Sequence, residues 1–153
     1  MLESLRKRGF DISTLSAVIG RGGLVHPVEG GVYEVNDALH DDLLHARRQH
    51  ASNLGGLIAQ EIAAEVGVKA YIADPVVVDE MIPYARISGL PQLPRESVFH
   101  ALNQKAIARR YARETGRKYE ELNLIVSHMG GGITVSAHRL SLIHISEPTR
   151  RRG

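Results

Sequence analysis

One segment of the chain combines a histidine with consecutive glycines. His128 is followed by Met129 and then by Gly130, Gly131 and Gly132. Consecutive glycines let backbone N–H groups approach an anion with no side chain in the way, and phosphate is the ligand that such a loop commonly binds. His128 could donate a hydrogen bond to transferring phosphoryl oxygens. The alternative is a tight turn that needs positive φ, with His128 in a structural role beside a strand.

Three further side chains are suited to a site that binds anions. Arg21 lies between glycines and can clamp a carboxylate or phosphate, or else be a solvated turn arginine. Asp74 precedes Pro75 and can orient a nucleophile or hold Mg²⁺; its alternative role is to cap a following helix. His50 precedes the helix predicted from Asn53 and can bind an anion near the positive helix end, or simply cap or pack against that helix.

The first half of the chain predicts elements that bring such residues to one edge of a sheet. Residues 16–19 indicate a short buried strand, and Asn36 or Asp37 can cap a helix. An apolar stripe from Asn53 predicts a helix ending at Gly67, before a strand over residues 69–73. This order implies an α/β fold with a parallel sheet, in which ligands gather at the carboxyl ends of the strands.

The second half predicts a helix followed by a hairpin. Residues 76–94, with three prolines, indicate a connection between subdomains, with a boundary around Gly89. A long helix ends at Gly116; its apolar face is marked by Val98, Leu102, Ile107 and Tyr111, and its polar outer face by Asn103, Gln104, Lys105, Arg109 and Arg110. Residues 122–126 and 133–137 read as strands joined by the glycine turn.

Composition excludes several classes of protein. The 153 residues are 43% hydrophobic and 24% charged, which is typical of one globular domain, and no cysteine is available for disulfides, thiolate metal sites or nucleophilic catalysis. Three of the 19 basic and one of the 17 acidic groups lie in residues 140–153, so the rest of the chain has no net charge. This argues against nucleic acid as a partner. No apolar run is long enough for a membrane span, and we expect a soluble cytoplasmic protein without a membrane partner.

Six motifs in order resemble one family. They are AVIGRGGLVHPVEGGVYEVND, HASNLGGLIAQEIA, ADPVVVDEM, ARISGLP, FHALNQKAIARRYA and LNLIVSHMGGGITVSAH. Together they resemble the acetokinase family, and within it the butyrate kinases, in the actin and sugar-kinase superfamily. The resemblance implies an incomplete actin-like ATPase (ribonuclease H-like) fold with parts of two subdomains. It also implies reversible, ATP-dependent phosphorylation of butyrate or another short or branched-chain carboxylate, with ATP and Mg²⁺ as cofactors.

The resemblance also implies roles for individual residues. Arg21 matches a substrate-clamping arginine, and His50 resembles a histidine that faces the phosphoryl group. Asp74 resembles the catalytic aspartate, which positions the carboxylate and interacts with Mg²⁺. The segment from Ser127 to Gly132 resembles the second phosphate loop, in which acetate kinases have an asparagine at the position of Gly131. The alternatives are an acetate or propionate kinase, and a non-catalytic anion-binding module.

A glycine pair bears on substrate choice. Acetate kinases carry valines where this chain has Gly22 and Gly23. The smaller residues are expected to enlarge the acyl pocket, and each additional buried CH₂ of a substrate contributes roughly 0.8 kcal/mol.

Relatives in the family are longer at both ends, and full-length members are expected to form homo-oligomers. We therefore expect residues 1–88 to be the C-terminal part of a first kinase subdomain, and residues 89–139 to be the connection and the start of a second. Residues 140–150, LSLIHISEPTR, do not continue the resemblance and match one frame of a transposon-derived sequencing adapter. Residues 140–153 are thus predicted to be a non-native, adapter-encoded tail, and the fold is predicted from the residues before them.

The isolated chain is expected to lack kinase activity, because in-line transfer needs both lobes of a cleft. A coupled ADP-release assay and a hydroxamate assay on purified residues 1–153 should show no butyrate-dependent turnover. Butyrate-dependent product above the background of an Asp74→Asn chain would overturn this expectation.

Overall fold

A computed structural model of the chain describes residues 2–149, and these form two compact units. The first consists of residues 2–26 and 31–73, and the second of residues 27–30 and 74–149. The units change at Ala73–Asp74, whereas the sequence predicts a boundary around Gly89. The assignment of the two parts to subdomains of a complete kinase stays a prediction. No described helix is long and apolar enough to cross a membrane.

The first unit contains a three-stranded sheet and three helices. The strands are β1 (Ala17–Arg21), β2 (Val32–Glu34) and β3 (Lys69–Ala73), in the order β1-β3-β2. The predicted parallel pairing is confirmed for β1 and β3, but β2 pairs antiparallel to β3, so the sheet is mixed. The central strand is buried at Ile72, whereas Ile19 on β1 is 63% exposed. The expectation that β1 is buried is therefore wrong, because β1 pairs with one strand only among the described residues.

The helices of the first unit are α1 (Leu2–Lys7), α2 (Asp37–Leu44) and α3 (Leu54–Val66). The Asn36 side chain accepts a hydrogen bond from the Leu39 N–H, which confirms one of the two predicted caps. Helix α3 ends at Gly67, whose φ of +73° is easily reached only by glycine, as the sequence predicts.

The start of α3 lies directly against the backbone of β1. A Cβ atom added to Gly20 would lie 2.1 Å from the Gly55 carbonyl oxygen, and one added to Gly55 would lie 2.4 Å from the Arg21 carbonyl oxygen. Both distances are far below van der Waals contact, so neither position accepts a side chain. This close approach fixes the end of β1, where Arg21 lies.

The second unit contains helix α4 (Ala101–Glu114) and an antiparallel sheet in the order β4-β5-β6. Its strands are β4 (Asn123–Met129), β5 (Ile133–Arg139) and β6 (Leu142–Thr149). Met129 pairs with Ile133, and the Gly130 N–H donates to the Gly132 carbonyl oxygen, so the predicted hairpin is confirmed.

Strand β6 lies within residues 140–153, the segment that the sequence predicts to be a non-native tail. Strand β6 pairs with β5, and Ile143 is 1% exposed in a cluster with Val78, Phe99 and Ala101. The Ile143 N–H also donates to the Glu80 carboxylate. The β-prone apolar residues Leu142, Ile143 and Ile145 suit such a strand whatever its origin. The adapter origin stays a prediction, and Arg150 to Arg152 lie outside the described residues.

Helix α4 faces the sheet with residues that the sequence assigns to its outside. Gln104 and Lys105 are buried, whereas Ile107 and Tyr111 are 48% and 46% exposed, so the predicted faces are wrong at these positions. The small residues Ala101, Ala108 and Ala112 let the helix approach closely, and the long polar side chains find partners inside. The Lys105 ammonium lies 2.6 Å from the Glu80 carboxylate, and both side chains are buried.

A buried polar chain links α4 to β5. Gln104 Nε2 donates to the Thr134 carbonyl oxygen, which leaves Gln104 Oε1 as the acceptor for His138 Nε2–H at 3.1 Å. His138 Nδ1 must then accept the Tyr119 hydroxyl hydrogen at 2.6 Å. Burial, the largest cause, and the Lys105 charge together lower the pKa of His138 to about 4, against an opposing effect of the Glu80 charge. The ring is therefore neutral at pH 7.

This neutral imidazole predicts a loss of stability in weak acid. Between pH 6.5 and pH 4 the unfolded chain binds a proton at His138 and the folded chain does not, so the free energy of unfolding falls as pH falls, by roughly 3 kcal/mol. Urea unfolding of the 153-residue chain across this range measures the effect. His138→Asn should be less stable at pH 7 and should lose less stability on acidification. The half-exposed control His144→Asn should follow the parent, and parental pH dependence in His138→Asn would contradict the assignment.

Candidate functional site

Arg21 ends β1 and is exposed. It pairs in register with Ala73, the residue directly before Asp74 in the chain. Its guanidinium makes no hydrogen bond or ion pair with any residue in the part of the chain that the structure describes. The guanidinium is thus available to an anion at the carboxyl end of the parallel strand pair. The packing of α3 against the Arg21 backbone fixes the position of the Arg21 Cα atom, from which the side chain extends.

His50 caps a single 3₁₀ turn, Ala51–Asn53, which runs into α3. Its Nδ1 accepts a hydrogen bond from the Ser52 N–H at 3.1 Å and lies 2.8 Å from the Ser52 hydroxyl oxygen. The capping role that the sequence left open is therefore present. Since Nδ1 accepts, the neutral ring carries its proton on Nε2, and His50, which is exposed, keeps one donor for a ligand.

Gly22 and Gly23, which follow Arg21, are both buried. At Gly23 the packing of a neighbouring residue explains why a side chain is absent. A Cβ atom on Gly23 would lie 2.5 Å from Asn53 Oδ1 and 2.6 Å from Asn53 Cα. That same Oδ1 accepts the Leu24 N–H at 2.9 Å. The small size of Gly23 is thus explained by Asn53, without reference to a substrate. The acyl-pocket expectation stays a prediction for Gly22, and a valine at position 23 would disturb Asn53.

Asp74 follows directly from the last residue of β3, as the sequence predicts. It is 4% exposed, and its φ of +36° lies in the left-handed region that few non-glycine residues adopt. Oδ2 accepts a hydrogen bond from Arg109 Nη1 at 3.1 Å, while Oδ1 is buried without a partner among the described residues. The residues directly after Pro75 form a turn, in which the Val78 N–H donates to the Pro75 carbonyl oxygen, and not a helix, so the helix-cap alternative is wrong.

His128 lies near the end of β4, and helix α4 orients it. Its Nδ1 is 2.9 Å from Asn103 Nδ2, so Nδ1 accepts and the neutral ring carries its proton on Nε2. The ring stacks on that of His100, with centroids 3.8 Å apart and planes inclined by 9°. His100 in turn lies 3.1 Å from the Thr134 hydroxyl oxygen through Nδ1. His100 is not among the predicted site residues, and the one signal for it in the sequence is its place directly before the first residue of α4.

Two of the three hairpin glycines are needed because a side chain there would approach a histidine ring. None of Gly130, Gly131 and Gly132 has a φ in the left-handed region, so the expectation that the turn needs positive φ is wrong. A Cβ atom on Gly132 would lie 3.0 Å from His100 Cε1, and one on Gly130 would lie 3.1 Å from His128 Nε2, whereas Gly131 faces open space. Two of the glycines therefore leave room for the stacked imidazoles.

Helix α4 links the predicted site residues of the second unit. Arg109 binds Asp74 and Asn103 binds His128. These positions are six residues apart, roughly 9 Å along a helix. Asp74, His128 and the glycine hairpin thus belong to one unit together with His100, whereas Arg21, Gly22, Gly23 and His50 belong to the first unit.

The described residues include no cluster of three or more histidine, aspartate or glutamate side chains arranged as metal ligands. Asp74 nevertheless offers a buried carboxylate oxygen that has no partner among residues 2–149. Mg²⁺ is commonly held by one or two carboxylates together with substrate phosphates and water. One free carboxylate oxygen fits that ion.

Comparisons with known proteins identify the fold. No protein-family model matches the chain. Over 140 residues it is 56% identical to a probable butyrate kinase of Clostridium botulinum (strain Eklund 17B) and 57% identical to butyrate kinase 1 of Clostridium acetobutylicum, in each case covering 91% of this chain. The chain spans 39% of the length of these relatives.

Two solved structures superpose on nearly the whole chain. Porphyromonas gingivalis acetate kinase matches with a TM-score of 0.76 and 17% identity, over 95% of this chain and 40% of its own. A Francisella tularensis propionate kinase matches with a TM-score of 0.68 and 16% identity, over 96% and 40%. The chain has part of the acetate kinase fold. This is the actin-like ATPase fold predicted from the sequence motifs.

The two histidines at the hairpin give a prediction about Gly132. In Gly132→Ala the new methyl group must displace the His100 ring by a few tenths of an ångström, because a separation of 3.0 Å is tighter than ordinary contact. The imidazole proton chemical shifts of His100 and His128 in the 153-residue chain should therefore change. Gly131→Ala is the matched control, since its methyl group meets no atom within 4 Å. Equal shifts in the two variants would contradict the packing role of Gly132.

Proposed function

We propose that this chain is the part of a butyrate kinase that supplies residues for transfer of the γ-phosphoryl group of ATP to butyrate or a related short or branched-chain carboxylate, and for the reverse reaction. The observation that carries the proposal is the 56–57% identity to butyrate kinases over 140 residues. The buried carboxylate of Asp74 and the histidine–glycine hairpin support it chemically. We further propose that the complete protein is cytoplasmic and homo-oligomeric, with no nucleic-acid or membrane partner.

The proposed reaction is a direct in-line displacement. A substrate carboxylate oxygen forms a bond to the γ-phosphorus while the bond from that phosphorus to the ADP oxygen breaks. A carboxylate is already a nucleophile at neutral pH, so no general base is required. The contribution of the protein is to hold two mutually repelling anions in line and to neutralise charge on the transferring group.

The residues of the first unit have donor roles in this proposal. Arg21 offers an exposed guanidinium without a protein partner among the described residues, which suits a carboxylate or phosphoryl group. His50 offers Nε2–H, because its Nδ1 is occupied by the Ser52 backbone. Gly22 and Gly23 would lie beside the substrate in this proposal, with Gly23 also required by the packing of Asn53.

The residues of the second unit have roles toward the nucleotide and the metal. His128 offers Nε2–H beside the hairpin, and the backbone N–H groups of Gly131 and Gly132 are proposed to face phosphate oxygens. Asp74 would hold Mg²⁺ or orient the substrate carboxylate through its free Oδ1. Bound Mg²⁺ supplies neutralisation of phosphate charge.

Two other functions remain as outcomes of the test. Acetate or propionate kinase activity is the closer alternative, but the matching acetate and propionate kinases are 17% and 16% identical, against 56% for the butyrate kinase. A non-catalytic anion-binding module would use Arg21 and the hairpin without any transfer.

The function is tested in a hybrid enzyme in which the aligned segment of Clostridium acetobutylicum butyrate kinase 1 is replaced by the 140 matching residues of this chain. We expect the hybrid to make butyryl phosphate from butyrate and ATP. Asp74→Asn should lower kcat at least about 100-fold, because the substitution removes a charged oxygen at the reacting groups. The exposed control Asp41→Asn should leave kcat at the level of the unaltered hybrid.

Each contrary outcome has a definite meaning. A higher kcat/KM for acetate than for butyrate would favour the acetate kinase alternative. Phosphate or nucleotide binding by a folded hybrid without any turnover would favour the anion-binding module. Parental kcat in Asp74→Asn would contradict the role proposed for that carboxylate.

A further inference from the structure

We propose that Arg109 is a positioning residue that holds the Asp74 carboxylate with one oxygen occupied and the other presented to the reacting groups. This inference rests on the proposed function, since it assigns a helper to the aspartate of that site. The geometry behind it is the asymmetry of the carboxylate. Oδ2 receives Arg109 Nη1 at 3.1 Å, and Oδ1 is buried without a partner in the described part of the chain.

A buried carboxylate oxygen without a hydrogen bond is rare in folded proteins, because water no longer compensates its charge. The side chain of Asp74 is 4% exposed, so solvent does not take that role. An oxygen kept in this state implies a partner that arrives with the reaction. Mg²⁺ and the N–H or O–H donors of a bound substrate complex are the partners whose chemistry suits a carboxylate oxygen.

The backbone of Asp74 does not by itself fix the carboxylate. Its φ of +36° is an uncommon conformation that aspartate tolerates better than most residues, and the following proline restricts the chain on the other side. The side-chain torsions stay free to turn either oxygen inward. The Arg109 bond removes that freedom, because it occupies Oδ2 and so leaves Oδ1 as the presented atom.

Neighbouring cations on α4 are committed to other partners. Lys105 lies against the buried Glu80 carboxylate, and Arg110 pairs with Glu114 on the exposed surface. Arg109 is the cation on this helix that contacts Asp74. Its side chain is 54% exposed, so a small cation from solvent can enter the space that a truncated Arg109 would leave.

The test compares Arg109→Ala with Arg110→Ala in the hybrid enzyme. Loss of a residue that orients a ligand-binding group typically lowers activity about 10- to 100-fold, and we expect a fall of that size in kcat for Arg109→Ala with little change in the KM for butyrate. Guanidinium chloride at millimolar, non-denaturing concentration should restore part of the lost kcat, and sodium chloride at equal ionic strength should not. Arg110→Ala, with or without guanidinium, should match the unaltered hybrid.

Folding is controlled separately. Thermal unfolding of each variant in the 153-residue chain shows whether it folds. Arg109→Ala should unfold at a lower temperature than Arg110→Ala, because it leaves the buried Asp74 carboxylate without its cation, and the kinetic comparison is made below both unfolding temperatures. If Arg109→Ala does not fold, Arg109→Lys takes its place and should retain part of kcat, since lysine keeps the charge without the planar geometry of guanidinium.

The outcomes separate this inference from the proposed function. Equal kcat in the Arg109 and Arg110 variants, while Asp74→Asn is inactive, would overturn the positioning role and leave the kinase proposal intact. A loss of kcat in Arg109→Ala that guanidinium does not restore would assign Arg109 a structural role and likewise overturn the inference. Full activity of Asp74→Asn would instead contradict the kinase proposal itself.

Discussion

The burial of one carboxylate constrains much of the second unit. Asp74 follows β3 with a left-handed backbone and a side chain shielded from water, so its charge is stabilised by a cation within contact distance. Arg109 supplies that cation from α4, with its Nη1 atom 3.1 Å from Asp74 Oδ2. The same register lets three other polar residues of the helix reach their partners: Asn103 to His128, Gln104 to Thr134 and His138, and Lys105 to Glu80.

This arrangement explains why α4 turns a polar face toward the sheet. A helix packed only by apolar contacts would bury Ile107 and Tyr111, yet both are nearly half exposed. The buried groups are instead satisfied in pairs, as the low dielectric of the interior requires. Such networks tolerate little sliding or rotation of α4 against the sheet. A helix held in this way can orient both Asp74 and the histidine pair at the hairpin.

Local patterns predicted much of the fold. Helix α3, strand β3 and the hairpin between β4 and β5 follow from apolar spacing and glycine stops, because their stabilising contacts repeat along the chain. The buried face of α4 could not be predicted in the same way. Gln104 and Lys105 have the character of surface residues, and only the folded structure shows that Thr134 and Glu80 are their buried partners. Strand β2 was missed because three residues carry too little periodicity.

The candidate site was predictable where chemistry follows from one position in sequence. Asp74 lies directly after β3 as expected, because the apolar run of that strand ends at an Asp-Pro pair. Partners from distant segments were not predictable: His100 meets His128 only through the packing of α4 on β4, and Arg109 reads as a surface cation. The reason for glycine at position 132 likewise appeared only with a three-dimensional neighbour, the His100 ring.

The most direct test of this account is a crystal structure of the hybrid enzyme with ADP, Mg²⁺, butyrate and aluminium fluoride as a mimic of the transferring phosphoryl group. The account predicts that Arg109 remains on Oδ2 of Asp74 while Oδ1 faces the metal or the butyrate carboxylate, and that the mimic lies within hydrogen-bonding reach of His128 Nε2. A mimic bound away from Asp74, or an Arg109 side chain that has left Asp74 in the complex, would contradict it.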